Sequence, residues 1–232
     1  MSEGYSEQHR KRIEITISEL SKYVTLSEKT LNVGVSDMDS TLLRFFKDIY
    51  FGVPSSIDMP KDEIKRRVIQ LDITSGFTES EKKFDVIIFT EVMEHLLVDD
   101  EVVVNNLYNL LSNRGLLVLS VPNAATFLNR FKFLFGQNIY WNKSNIIRGV
   151  YGGFGHIREY TFSEVKGLLS EHFDILCIRG VNGYRRGAKK IINFLPKSFS
   201  NTILVICRKK PELLVENLNI EESNALMNGF RR

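Results

Sequence analysis

Short runs in which every residue is apolar, set between stretches of helical spacing, constrain this chain more than any other feature. The clearest is FDVIIFT, residues 84–90. A strand with one solvated face alternates apolar and polar residues; Val86, Ile87, Ile88 and Phe89 do not alternate, so both faces of this strand must be covered. LNVGV within 29–35, DIYFGVPSS (48–56), IKRRVIQLDIT (64–74), LLVLSVPN (116–123), FDILCIRG (173–180) and NTILVICRK (201–209) have the same strand character. Helical spacing falls between them. Residues 6–22 place Ile13, Ile15, Ile17, Leu20 and Tyr23 toward one side, with Ser18 and Glu19 on the other. SDMDSTLLRFF offers N-caps before Leu42, Leu43, Phe45 and Phe46. Val104, Leu107, Leu110 and Leu111 share a face in residues 101–115, which predicts a helix stopped by Gly115. Residues 160–173 open on a capping box, Thr161 with Glu164. Strands alternating with helices predict an α/β fold with helices on both faces of a mostly parallel sheet.

In such sheets ligands bind beyond the carboxyl ends of the strands. Gly34, Asp72, Glu91 and Asn123 all stand at those ends. The chain has 232 residues, a length suited to one domain with decorated ends. Three parts are expected: a leading helix (1–24), a main domain (25–210) with an insertion at about 124–159, and a polar tail (211–232). The formal charge of +3 is too small to point to a nucleic-acid partner. Two cysteines, each inside an apolar run, make neither a disulfide framework nor a zinc motif, and fit a reducing cytoplasm. The start is polar and charged, without a signal-peptide core, and no stretch reaches membrane-spanning length.

Directly after the clearest strand come Glu91, Glu94 and His95. On a helix these positions share a face. Two carboxylates and an imidazole form a plausible set for a divalent ion such as Mn²⁺, Zn²⁺ or Fe²⁺, with His156 of GGFGHIREY as a fourth ligand. The metal-free reading makes His95 or His156 a general base, since imidazole is the side chain suited to taking a proton near neutral pH. A purely structural role for the cluster is the third reading.

LNVGV, LDIT, FDVIIFTEVMEHL, LLSNRGLLVLSVPN and GHIREYTFSEVKGLLSEHFDI together resemble the class I S-adenosylmethionine (SAM) dependent methyltransferases, over roughly residues 25–210. The resemblance implies a Rossmann-like seven-stranded sheet with its last strand antiparallel. It implies SAM as cofactor, with Gly34, Ser36 and Asp72 in contact and the backbone of Phe89 and Thr90 beside the adenine. Glu91, Glu94, His95 and distant His156 resemble the metal set of small-RNA 2′-O-methyltransferases, and the EVMEH part is shared with some quinone-biosynthesis O-methyltransferases. Two departures stand out. Of a turn that usually carries two or three glycines, only Gly34 remains in GVSDM, and the second strand has no carboxylate before Asp58.

The function expected is methyl transfer to a hydroxyl of a small-molecule, glycan or lipid-type acceptor. The alternatives are a non-catalytic relative that has lost SAM, and a metal-dependent RNA 2′-O-methyltransferase. The aromatic insertion, with Trp141 the chain's single tryptophan, would cap the acceptor pocket or form a homodimer face. Gly152, Gly153 and Gly155 would be its hinge or a simple turn. YRRGAKK (184–190), Lys197 and RKK (208–210) would meet an acceptor phosphate or be solvated loop charge.

Overall fold

A computed structural model describes residues 3–25, 27–34, 39–54, 67–75, 83–140, 144, 155–181 and 196–211, with side chains from Arg10 onward. Seven strands form one sheet: β1 (Thr30–Val33), β2 (Ile49–Val53), β3 (Val68–Gln70), β4 (Phe84–Thr90), β5 (Leu111–Pro122), β6 (Phe173–Val181) and β7 (Thr202–Lys209). Their order is β3-β2-β1-β4-β5-β7-β6. Strands β1 to β5 pair in parallel, and β7 runs antiparallel to both β5 and β6. The strand order reverses between β1 and β4, which puts the ligand crevice of an open α/β sheet beyond the ends of those two strands.

Both faces are covered, as the unbroken apolar runs require. Val86 and Ile88 of β4 face one core with Phe51 of β2 and Ile206 of β7. On that side pack α1 (Glu3–Leu20), through Ile13, Ile17 and Leu20, and α2 (Asp39–Phe45), through Leu42. Ile87 and Phe89 face the other core with Leu31 and Leu117. There α3 (Asp100–Leu110) buries Val103, Val104 and Leu107, and α5 (Phe162–Ser170) buries Val165 and Leu169. A short helix, α4 (Phe127–Leu134), follows β5. The leading helix is therefore a layer of this domain.

Several expectations change in detail. Glu19 is not on the outer side of α1: it is buried and paired with Lys22 and Arg179. The segment 101–115 is not helical to its end. Helix α3 stops at Leu110, because Leu111 already pairs with Phe84 in the sheet. Arg114, not Gly115, takes the left-handed backbone (φ 62°). Gly115 is required instead by a close approach, since a Cβ there would lie 3.0 Å from the Ser112 carbonyl oxygen and 3.2 Å from that of Asp85. Residues Met93–His95 form a single 3-10 turn rather than the start of an α-helix. The capping box at Thr161 and Glu164 is present as read. In the basic 208–210 segment, Lys209 is buried, its Nζ 3.2 Å from the Leu111 carbonyl oxygen, and Lys210 binds the Ser170 carbonyl oxygen at 2.6 Å. Residues 184–190, Trp141, Gly152, Gly153 and the 212–232 tail lie outside the described residues.

Candidate functional site

The rim at the switch point is built from the chain leaving β1, the chain leaving β4 and a return segment beside β5. Gly34 leaves β1 with φ +95°, a conformation side-chain-bearing residues rarely adopt. Its N–H donates to the Gly52 carbonyl oxygen (2.8 Å), and the Asn32 amide donates to the carbonyl oxygen of Gly34 (2.9 Å). A Cβ on Gly34 would stand 3.6 Å from Val92, so the ends of β1 and β4 face each other closely. Ser36 lies outside the described residues. Asp72 sits exposed just past β3; its Oδ1 accepts from the Thr74 hydroxyl (2.7 Å) and N–H (2.9 Å), and these bonds hold its carboxyl below the ordinary range. Asn106 of α3 braces that loop through the carbonyl oxygens of Ile73 and Ser75. Phe89 is fully buried in β4, and Thr90 is half-buried at its end.

Glu91 does not join Glu94 and His95. Its backbone is left-handed (φ 56°), and its carboxylate turns back to accept from Arg12 of α1 (2.6 Å) and from the Ser120 hydroxyl of β5 (2.9 Å). Glu94 and His95 do come together with His156. Glu94 Oε1 lies 3.8 Å from Nε2 of His95 and 4.0 Å from Nε2 of His156, and the two imidazole centroids are 5.2 Å apart. One ligand atom from each of the three can be chosen so that all lie within 4.8 Å. Glu94 is 1% exposed, and neither carboxylate oxygen has a hydrogen-bond partner among the described residues. Burial, reinforced by the nearby Glu91 carboxylate, pushes its pKa up to about 8.

His156 is held there by backbone and by charge. The N–H of Ile157 donates to the Glu94 carbonyl oxygen (2.8 Å). Asn123 and Tyr160 form a parallel bridge that ties the return segment to the end of β5. The Tyr160 hydroxyl donates to Asp100 (2.8 Å), whose other oxygen takes Arg158 (3.1 Å). Burial raises the Tyr160 pKa, and the Asp100 carboxylate adds to it. Nδ1 of His156 lies 3.2 Å from Oε1 of Glu159. With the Glu159 carboxylate as acceptor, the hydrogen of this contact belongs to Nδ1, and Nε2 lies 4.0 Å from Oε1 of Glu94. Glu159, Arg12 and Asp100 were not read from the sequence; only Glu159 left a signal, three residues after His156.

The family model for a methyltransferase domain matches residues 14–172, which span the rim and the cluster. The chain belongs to the methyltransferase-domain family. Its strand order and single antiparallel strand are those of the class I, Rossmann-like methyltransferases. Among solved structures it is similar to N-methyltransferase NodS from Bradyrhizobium japonicum WM9, in complex with S-adenosyl-L-homocysteine (SAH): 16% identity, 88% of each chain covered, TM-score 0.57. It is also similar to the 1,6-didemethyltoxoflavin-N1-methyltransferase of Burkholderia thailandensis, with 15% identity over 86% of this chain and 78% of that one, TM-score 0.57. A third is magnesium protoporphyrin IX methyltransferase from Synechocystis PCC 6803, with 12% identity over 88% and 84%, TM-score 0.54. Identities this low establish a shared fold. Comparison with curated proteins finds no match. No helix among the described residues is long and apolar enough to cross a membrane.

Proposed function

We propose that this methyltransferase uses S-adenosylmethionine to methylate a hydroxyl of a small-molecule acceptor, with Nε2 of His156 taking the hydroxyl proton. The observation that carries the reading is the chain Glu159–His156 facing buried Glu94, at the rim where the sheet reverses. A hydroxyl is a poor nucleophile until its proton leaves, and a base oriented by a carboxylate is the arrangement that removes it. Glu159 fixes the tautomer of His156 and stabilises the imidazolium that forms. Glu94, held protonated near neutral pH, keeps its side of the cluster uncharged and can donate one hydrogen bond to an acceptor oxygen.

The cofactor's residues fit in part. Bound SAM supplies a methyl group on an electrophilic sulfonium. The left-handed turn at Gly34 lets a ligand approach the backbone, and exposed, pre-oriented Asp72 suits an exocyclic amine. Ser36 and the backbone of Phe89 and Thr90 complete the proposed contacts. The neighbours crystallised with S-adenosylhomocysteine support the choice of cofactor. An acceptor rather than a nucleic acid fits the small net charge.

A second reading has its own observation: the two carboxylate oxygens of buried Glu94, without a hydrogen-bond partner among the described residues and with two imidazoles within 4.0 Å, fit a borderline divalent cation. Glu94, His95 and His156 would hold it, and its charge would favour the alkoxide form of the acceptor. Glu91 is committed to Arg12 and Ser120 instead.

The test is incubation with SAM bearing a deuterated methyl group and a small-molecule extract. Mass-labelled methyl ethers are expected with the intact protein and not with His156→Ala. Labelled product that persists undiminished in His156→Ala contradicts the base, and labelled amines alone contradict the hydroxyl. Metal analysis separates the two readings: full activity without metal removes the second.

A further inference from the structure

Helix α4 has no buried residue, although Phe127, Leu128, Phe131, Phe133 and Leu134 of FLNRFKFL are large and apolar. A surface helix normally sinks one apolar stripe and exposes a polar face. Here the body-facing side is small. Phe127 stacks near Phe131 and Phe199, with ring centroids 4.8 and 6.1 Å away, and Arg130 lies over the Phe199 ring while its Nε donates to the Ala125 carbonyl oxygen. Those contacts anchor the helix and leave the rest outward. Leu128, Phe131, Phe133, Leu134, Phe135 and Tyr140 are exposed, and Phe133, Leu134 and Phe135 each show more than two-thirds of their surface. Exposed apolar side chains clustered in this way along one short segment are the mark of an interaction surface.

Charge selects the partner. The whole chain is nearly balanced, with 31 Lys and Arg against 28 Asp and Glu. Yet the described stretch from Phe127 to Tyr140 carries Arg130 and Lys132, both exposed, and no Asp or Glu. Aromatic and leucine side chains mixed with cations and free of carboxylates are the chemistry of an interfacial segment on an anionic bilayer. A second copy docking through the same face would set Lys132 and Arg130 against their own equivalents, with no carboxylate in the segment to neutralise them. We infer that α4 and the chain just after it form a docking surface for the face of an anionic lipid membrane, on which the protein lies without crossing it.

The experiment is co-sedimentation of the full chain with vesicles of phosphatidylcholine alone and with about one-third phosphatidylglycerol. Pelleting is expected with the anionic vesicles only, weakened by raised salt. The double variant F133S/L134S changes two highly exposed residues that lie outside the cluster and the cofactor rim. It is expected to lower the bound fraction about tenfold or more, with the melting temperature and SAH affinity unchanged. Three results overturn the inference: no pelleting with either vesicle, equal pelleting with both the parent and the double variant, or a dimer of the parent that the variant splits while vesicles capture neither. None of these readings depends on methyl transfer, so the inference and the proposed reaction fail separately.

Discussion

Oε1 of Glu94 and Nε2 of His156 lie 4.0 Å apart, although one leaves β4 and the other returns from the insertion beyond β5. The distance is too long for a hydrogen bond and short enough for strong electrostatic coupling. The two are fixed relative to each other by the Ile157 N–H on the Glu94 carbonyl oxygen. In the proposed reaction the acceptor hydroxyl would sit in this gap, between the buried carboxyl and the imidazole.

Burial raises the pKa of Glu94 in the folded state from an ordinary 4.5 to about 8. The folded protein therefore holds a proton that the unfolded chain releases. The stability this confers is complete below the unfolded value and is lost as pH rises through about 8. The melting temperature should fall between pH 6 and pH 9, and Glu94→Gln, which mimics the protonated carboxyl, should flatten that fall. An unchanged slope in Glu94→Gln would place the titration elsewhere.

His156→Ala should lower turnover by about 10² to 10⁴-fold, the usual contribution of a positioned base. Glu159→Gln keeps a hydrogen-bonding partner for Nδ1 but removes the charge that favours the imidazolium; a loss of about tenfold in kcat is expected. Cofactor affinity should be unchanged in both, because neither residue lies on the Gly34 side of the rim. A rise in SAH dissociation constant equal to the kcat loss would show a general disturbance of the site instead.

The sheet was legible because burial on both faces writes itself as unbroken apolar runs, as in Val86 to Phe89. The Thr161–Glu164 box was legible because its two partners are three residues apart. The end of α3 was not, because Leu111 fits a helical face as well as a strand and only its pairing with Phe84 decides. Glu91 misled for a similar reason. Its spacing to Glu94 suggests one helical face, but a left-handed backbone turns it to Arg12, a partner 79 residues away. The meeting of Glu94, His95 and His156 was anticipated from residue chemistry, whereas the contact of Glu159 with His156 emerged only with the geometry.

The Arg12–Glu91 pair is largely shielded, with side chains 17% and 22% exposed. Arg12→Ala leaves a half-buried carboxylate close to Glu94 without its cation. A loss of about 1–3 kcal/mol in unfolding free energy is expected from that unpaired group. Denaturant titration checks it, and the double variant Arg12→Ala/Glu91→Gln should recover part of the loss.

Gly34→Ala puts a side chain on a left-handed residue, a strain of roughly 1–2 kcal/mol, although its Cβ would meet only Val92, at an ordinary 3.6 Å. Relief of that strain moves the turn, so SAH affinity should fall about tenfold or more. Unchanged affinity would remove Gly34 from the cofactor site.

Titration calorimetry of the purified chain with SAH tests the central claim most directly. A saturable one-to-one heat, weakened by Gly34→Ala and by Asp72→Ala and unaffected by His156→Ala, is the predicted result. No heat and no thermal shift at millimolar ligand would contradict it, and would leave the chain a non-catalytic member of the methyltransferase family.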